Sequence, residues 1–227
     1  MDKIILQAHE LFKDAGFNYA ICGGFALEMF AGKNYRGHED FDITIFDCDK
    51  HKALQFLHDK GWKLYARYED TRYANIRSIG DKCLHLIEDP QNNKWDDCDN
   101  AVAVLPGSYA TPVFIQRAGV YALKFDEPKL TKLDFIKIVF NKRQDDSLTA
   151  KGTSLPLDKA VLYADGIPYM APELVLYLKA SEYHWAHPLQ KHKTKADFKA
   201  ILPMLSEGGR QWLVYAIVAE FPDEWDG

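Results

Sequence analysis

The stretch ICGGFALEMFAGKNYRGHEDFDITIF, residues 21–46, constrains the fold of this chain more than any other. The run FNYAIC that leads into it reads as a short strand. Gly23 and Gly24 then open a helical pattern that stops at Gly32. FDITIF alternates and is rich in Ile, Thr and Phe, as a strand is. Paired glycines let backbone N–H groups come close to an anion, and a helix N-terminus adds a favourable dipole. Residues two apart on a strand share a side, so Asp40 and Asp42 project together, with Thr44 and Phe46 continuing that side. Phe41, Ile43 and Ile45 take the other side, into the core. Two adjacent carboxylates repel unless a cation lies between them, and hard divalent cations take oxygen ligands. Either motif alone reads as an ordinary turn or a polar strand edge. In this order they set a phosphate cradle beside a metal site, the pairing that phosphoryl or nucleotidyl transfer requires.

The rest of the chain supports an α+β fold. Ile4, Ile5, Ala8, Leu11, Phe12 and Ala15 recur at helical spacing before Gly16, and DKHKALQFLHDKG is a second amphipathic helix, with Asp49 as a candidate cap and Gly61 as its end. WKLYARY, RYANIRS, KCLHLIE, PGSYATPVFI, GVYALKF and KLDFIKIVF read as strands of a mostly antiparallel sheet. EDPQNNKWDDCDN and NKRQDDSLTAKG read as polar loops. PELVLYLKASEYHWA, TKADFKAILPML and RQWLVYAIVAEF read as three helices, the first with Pro172 in its first turn and the second with Thr194 and Asp197 in capping-box spacing. The expected division is an α/β domain over 1–165 and a helical region over 166–227 that forms the other wall of the cleft.

Composition narrows the function classes. With 227 residues and 47% hydrophobic content, the chain buries a real core. No apolar run reaches the roughly 20 residues of a membrane span. MDKIILQAHELFKDAG lacks the basic and apolar regions of a secretory signal. Cys22, Cys48, Cys83 and Cys98 are scattered, which fits reduced thiols in a cytoplasmic protein. The net charge of −5 argues against a long nucleic-acid partner and fits a small or cationic second substrate.

CGGFALEMFAGKNYRGHEDFDITIF resembles the signature of the nucleotidyltransferase superfamily related to DNA polymerase β. It is most similar to the aminoglycoside 2″-adenylyltransferase-like branch, which carries a GG-aromatic-Ala-Leu helix and an R-x-H-x-D-x-D segment. Arg36, His38, Asp40 and Asp42 occupy those places. DGIPYMAPELVLYLKA and KHKTKADFKAILPML resemble the second half of bacterial proteins of that branch, whereas the middle of the chain is poorly matched. The resemblance implies a nucleotidyltransferase-type mixed sheet flanked by helices, an NTP co-substrate and two Mg²⁺ ions on Asp40 and Asp42. It implies that Gly23 and Gly24 hold the β/γ phosphates and that Arg36 and His38 lie near the triphosphate. For Arg36 the alternative is a loop salt bridge with Glu39 or Asp40.

The resemblance also implies a third carboxylate on a neighbouring strand, a metal ligand that completes the site or the group that takes the acceptor's proton. Asp134 is the first candidate, at the head of a strand face shared with Ile136, Ile138 and Phe140, where an acid is costly without a partner. The rival is KCLHLIED, where Cys83 and His85 fall nearest and Glu88 and Asp89 follow. A third position at Cys83 or His85 would break the triad. Lys193, Asp197 and Phe198 match an R-x-K-D-x-x-D-F pattern in which Thr194 replaces the first acid. Asp197 reads there as a helix cap, and Glu88 and Lys193 are candidate acceptor contacts. The expected function is transfer of an NMP, AMP first, from an NTP to a hydroxyl of a small acceptor. The alternatives are a toxin-like enzyme acting on tRNA or protein, and a nucleotide-binding module without catalysis.

Overall fold

The computed structural model describes residues 2–68, 83–116, 119–125, 130–144, 146–150, 153–183 and 188–221. RYANIRS lies outside them. The chain divides into two compact units. One comprises Met1–Tyr19 and His38–Lys142, the other Ala20–Gly37 and Arg143–Gly227. The division therefore does not follow a boundary at 165. The glycine turn and its helix belong with the C-terminal part of the chain, because the strand that precedes the turn pairs with a strand near residue 169.

In the first unit, α1 (Lys3–Phe12) starts where the Asp2 carboxylate accepts from the Ile4 N–H at 2.8 Å. Its Phe12 ring meets Phe17 and Phe56, each at 6.1 Å between centroids. Phe56 lies on α3 (Lys50–Asp59), which follows a 3₁₀ turn over Asp47–Asp49. Asp49 precedes α3 but makes no capping bond with its side chain, contrary to the sequence expectation. The sheet contains β2 (Asp42–Phe46), β3 (Lys63–Tyr68), β4 (Cys83–Ile87), β5 (Asn100–Val104), β6 (Ala110–Ile115), β7 (Val120–Phe125) and β8 (Phe135–Gln144). Their order is β2-β8-β5-β3-β4-β7-β6. β2 and β8 run parallel and the other neighbours antiparallel. Tyr65, Leu84, Val102, Val104, Ala110 and Phe135 form one of its packed clusters.

β2 is buried on both faces. Phe41 and Ile43 have no exposed surface, but Thr44 and Phe46 are also covered, at 4% and 9% exposure. The side that begins with Asp42 therefore turns inward after one residue, and Thr44 accepts from the Asn141 amide at 2.7 Å. Phe41, between the two aspartates, is the anchor of this segment. Phe41→Ala should lower the unfolding free energy by about 3–5 kcal/mol, as for other fully buried aromatics. Urea denaturation checks this, and a loss below about 1 kcal/mol would contradict that packing.

The second unit holds β1 (Tyr19–Cys22, of which Tyr19 belongs to the first unit), α2 (Gly23–Ala31), the hairpin β9 (Ser147–Ala150) and β10 (Thr153–Pro156), the short α4 (Leu157–Ala160), and the hairpin β11 (Val161–Ala164) and β12 (Ile167–Met170). β12 lies between β11, antiparallel, and β1, parallel through Ile21 and Tyr169. α5 (Pro172–Ser181), α6 (Pro188–Ile201) and α7 (Glu207–Glu220) complete it. Pro172 stands in the first turn of α5 as expected. α6 begins at Pro188, well before Thr194, so Thr194 and Asp197 are interior residues of that helix and not its cap. The NKRQDDSLTAKG segment is not a loop throughout: Asn141–Gln144 end β8, and Ser147–Ala150 form β9.

Candidate functional site

In the first unit the two aspartates meet β8. Asp42 pairs with Lys137 across the parallel ladder, and the Lys137 N–H donates to the Phe41 carbonyl at 2.8 Å. Directly paired residues share a face, so Lys137 lies beside Asp42, and its ammonium donates to Asp40 Oδ2. Both carboxylates are half-buried. Burial works against the charge of Lys137, but Asp40 and Asp42 outweigh it and raise its pKa; the field of Arg67, on β3, opposes them.

Tyr109 closes around the same acids. Its hydroxyl donates to the Glu39 carbonyl, and its ring stands edge-on to Phe135 at 6.0 Å. Burial raises the phenol pKa, and the fields of Asp40, Asp134, Asp42 and Glu39 add to it. One side chain thus senses all three carboxylates named from the sequence.

Asp134 precedes β8 and is 3% exposed. Its Oδ2 lies 3.2 Å from the Lys132 ammonium, whereas Oδ1 is buried without a hydrogen-bond partner. The rival strand β4 is separated from β2 by β8, β5 and β3. At ~4.8 Å per step that is about 19 Å across the sheet. Cys83, His85 and Glu88 therefore stand apart from the aspartate pair. His85 and Glu88 instead line a cavity of about 480 Å³ with Leu86, Lys94, Trp95, Gly119 and Tyr121.

The second unit carries the glycine turn. Gly23 has φ +64°, a conformation that favours glycine, and Gly24 is buried at the start of α2. Cys22 makes no side-chain capping bond to the helix. Arg36 is held by a carboxylate far away in sequence. Its Nε and Nη2 donate to Asp197 at 2.6 and 3.0 Å, and Nη1 donates to the Gly37 carbonyl at 3.0 Å. Asp197 has no exposed surface, and it also accepts from the Tyr35 hydroxyl and the Lys179 ammonium, each at 3.0 Å. Burial alone would raise its pKa, but the Arg36 bonds and the Lys179 charge hold it below the usual carboxylate range. Lys193 is half-buried on α6, and His38, in the first unit, is half-buried in the loop before Asp40.

The carboxylates fit the expected metal only in part. Two adjacent hard oxygen donors suit one divalent cation. Among the described residues, however, no group of three or more His, Cys, Asp or Glu side chains forms a metal-holding cluster. An ammonium already occupies one oxygen of Asp40, and an ammonium accompanies Asp134. Among the described residues Asp40, Asp42 and Asp134 are not grouped as a three-carboxylate cluster.

Sequence reasoning missed Lys137, Lys179 and Tyr109. Lys137 was marked by a lone lysine inside FIKIVF, where a charge needs a reason. The pairing of Asp197 with a residue 161 positions away left no local signal.

A family model described as aminoglycoside-2''-adenylyltransferase matches residues 4–119. A lincosamide resistance protein from Staphylococcus haemolyticus is 28% identical over 71 residues, which cover 31% of this chain and only 44% of the relative's length. The solution structure of the antibiotic-resistance factor ANT(2'')-Ia superposes with a TM-score of 0.53 at 11% identity, over 96% of this chain and 91% of that one. The crystal structure of ANT(2'')-Ia in complex with adenylyl-2''-tobramycin gives 0.52 at 10% identity, over 96% and 98%. At these identities the two superpositions establish a shared fold. Among the described residues no helix is long and apolar enough to cross a membrane. With a family match that runs over more than half of its residues, the chain belongs to the aminoglycoside-2''-adenylyltransferase family.

Proposed function

We propose that this protein transfers a nucleoside monophosphate, AMP first, from an NTP to a hydroxyl of a small-molecule acceptor in the cytoplasm. The observation that carries this reading is the half-buried Asp40–Asp42 pair, where a loop runs into one strand beside a cationic residue of the next, in a chain of an adenylyltransferase family. In the reaction the acceptor oxygen forms a bond to the α-phosphorus, the bond to the pyrophosphate oxygen breaks, and the hydroxyl loses its proton.

Asp40 and Asp42 would hold Mg²⁺, which when bound supplies Lewis-acid polarisation of the phosphate oxygens. Gly23 and Gly24 would offer backbone N–H groups to the phosphates. The proton acceptor would be Asp134. Its unpartnered Oδ1 is a buried acceptor left unsatisfied at a cost of about 1–3 kcal/mol, which a donating hydroxyl would recover. His38 would contact the phosphates. Arg36, engaged with Asp197, would act by holding its own segment in place and not as a mobile phosphate clamp. Lys193 would contact the acceptor, whereas Glu88 stands too far from the aspartate pair to do so, and the net charge of −5 suits a cationic acceptor.

Calorimetric titration with ATP, GTP, CTP and UTP tests the nucleotide half of this reading. Binding of at least one NTP that strengthens with Mg²⁺ is expected. Absence of binding by all four would overturn the reading.

A further inference from the structure

The lysine beside the aspartates has a place in this site that no carboxylate fills. Lys137 sits in an interior strand, paired with Asp42 of β2 on one side and Val102 of β5 on the other. Its neighbours Ile136 and Ile138 are 0% and 1% exposed, so the backbone that carries it is fixed. The ammonium therefore reaches the aspartate pair from a fixed point and bonds to Asp40. A lysine held this way is a point charge with three donors, and phosphate oxygens accept from it as readily as carboxylates do.

Charge counting gives the ammonium a purpose. Three carboxylates with two divalent ions leave one net positive charge to face a triphosphate. Two carboxylates with one ammonium and one divalent ion leave the same charge. Asp134 does not enter the count, because Lys132 neutralises it. The absence of a three-carboxylate cluster among the described residues and the lysine on Asp40 thus have one explanation. We infer that Lys137 stands in for one of the two divalent ions, so that the site takes a single ion and Lys137 donates to a phosphate oxygen of the bound nucleotide. The inference rests on the nucleotidyl-transfer reading above. It assigns a binding role to a residue of β8 that would otherwise only neutralise two acids.

The test counts ions and does not depend on turnover. Full-length protein saturated with a non-hydrolysable ATP analogue is titrated with Mn²⁺, and electron paramagnetic resonance reports the ions bound per chain. One ion is expected for the wild type and for Lys137→Arg. Lys137→Met, checked for folding by circular dichroism, should admit a second ion and bind the analogue roughly 10–100-fold more weakly, the range for loss of a charged hydrogen bond. Two ions on the wild type would overturn the inference and leave the nucleotidyl-transfer reading standing. Unchanged analogue affinity in a folded Lys137→Met would also overturn it, since a mere neutraliser of Asp40 does not touch nucleotide. A wild type that binds neither ion nor analogue would overturn the transfer reading and this inference with it.

Discussion

Asp42→Asn should abolish Mg²⁺-dependent NMP transfer while the protein remains folded. The amide keeps the size of the side chain and its place in the ladder opposite Lys137, so the strand pairing that holds β2 on β8 should survive. What disappears is one of two anionic oxygen donors. Changing a group that only orients a metal ligand costs about 10–100-fold in affinity or activity, and loss of a ligand itself should exceed that range. We expect kcat to fall by more than about 100-fold, with an unchanged circular dichroism spectrum and an unfolding midpoint at or above that of the wild type. Stability is expected not to fall because the substitution relieves repulsion between neighbouring acids. Unchanged turnover in a folded Asp42→Asn would remove Asp42 from the site.

The second large effect is on stability, in the other unit. Asp197→Ala should lower the unfolding free energy by about 3–5 kcal/mol, because it leaves Arg36 and Lys179 buried against each other without their shared carboxylate. The Tyr35 hydroxyl loses its acceptor in the same change. The effect has a defined pH dependence. The folded carboxylate has its pKa held below the ordinary value of about 3.9. Its contribution is therefore complete above that pH and is lost as the pH falls through the lower folded value. Urea denaturation of both proteins should show the full difference at about pH 7 and a shrinking one below about pH 4. A difference that stays constant down to about pH 2 would contradict the charged role of Asp197.

The parts of this protein that could be read from sequence are those set by local pattern. The alternation of FDITIF, the glycine stop at Gly32 and the proline at the start of α5 each reflect steric or hydrogen-bonding rules that act within a few residues. The β11–β12 hairpin had such a signal and was passed over. Asp165 and Gly166 both have positive φ, at 50° and 79°, the pattern of a tight hairpin turn that an Asp-Gly pair marks. β5 was harder, since its Ala-Val run is buried almost throughout and shows no alternation. The β9–β10 hairpin is rich in Ser and Thr and reads as loop by composition.

Within the candidate site the same limit applies. Asp40 and Asp42 announce themselves by spacing, because residues two apart carry their relation in the sequence, although β2 itself begins at Asp42 and Asp40 lies in the loop before it. The position of Asp134 relative to them depends on β8 lying next to β2, a pairing of residues nearly a hundred positions apart. The distance of the Cys83–Asp89 segment from the aspartates likewise depends on strand order. Arg36 was assigned to phosphate from its place in a motif, whereas its guanidinium is fixed by a carboxylate on α6. No local pattern could have indicated that partner.

The proposed activity is movement of a nucleotide onto a small hydroxylated molecule. It is tested most directly by incubating the protein with Mg²⁺ and α-³²P-labelled NTPs against aminoglycosides, lincosamides, bulk tRNA and cytosolic protein, with Asp42→Asn as the control. Label should appear on a small-molecule acceptor, with pyrophosphate released in equal amount, and the control should transfer none. Label found only on tRNA or protein, or no transfer to any acceptor by a protein that binds Mg-NTP, would contradict it.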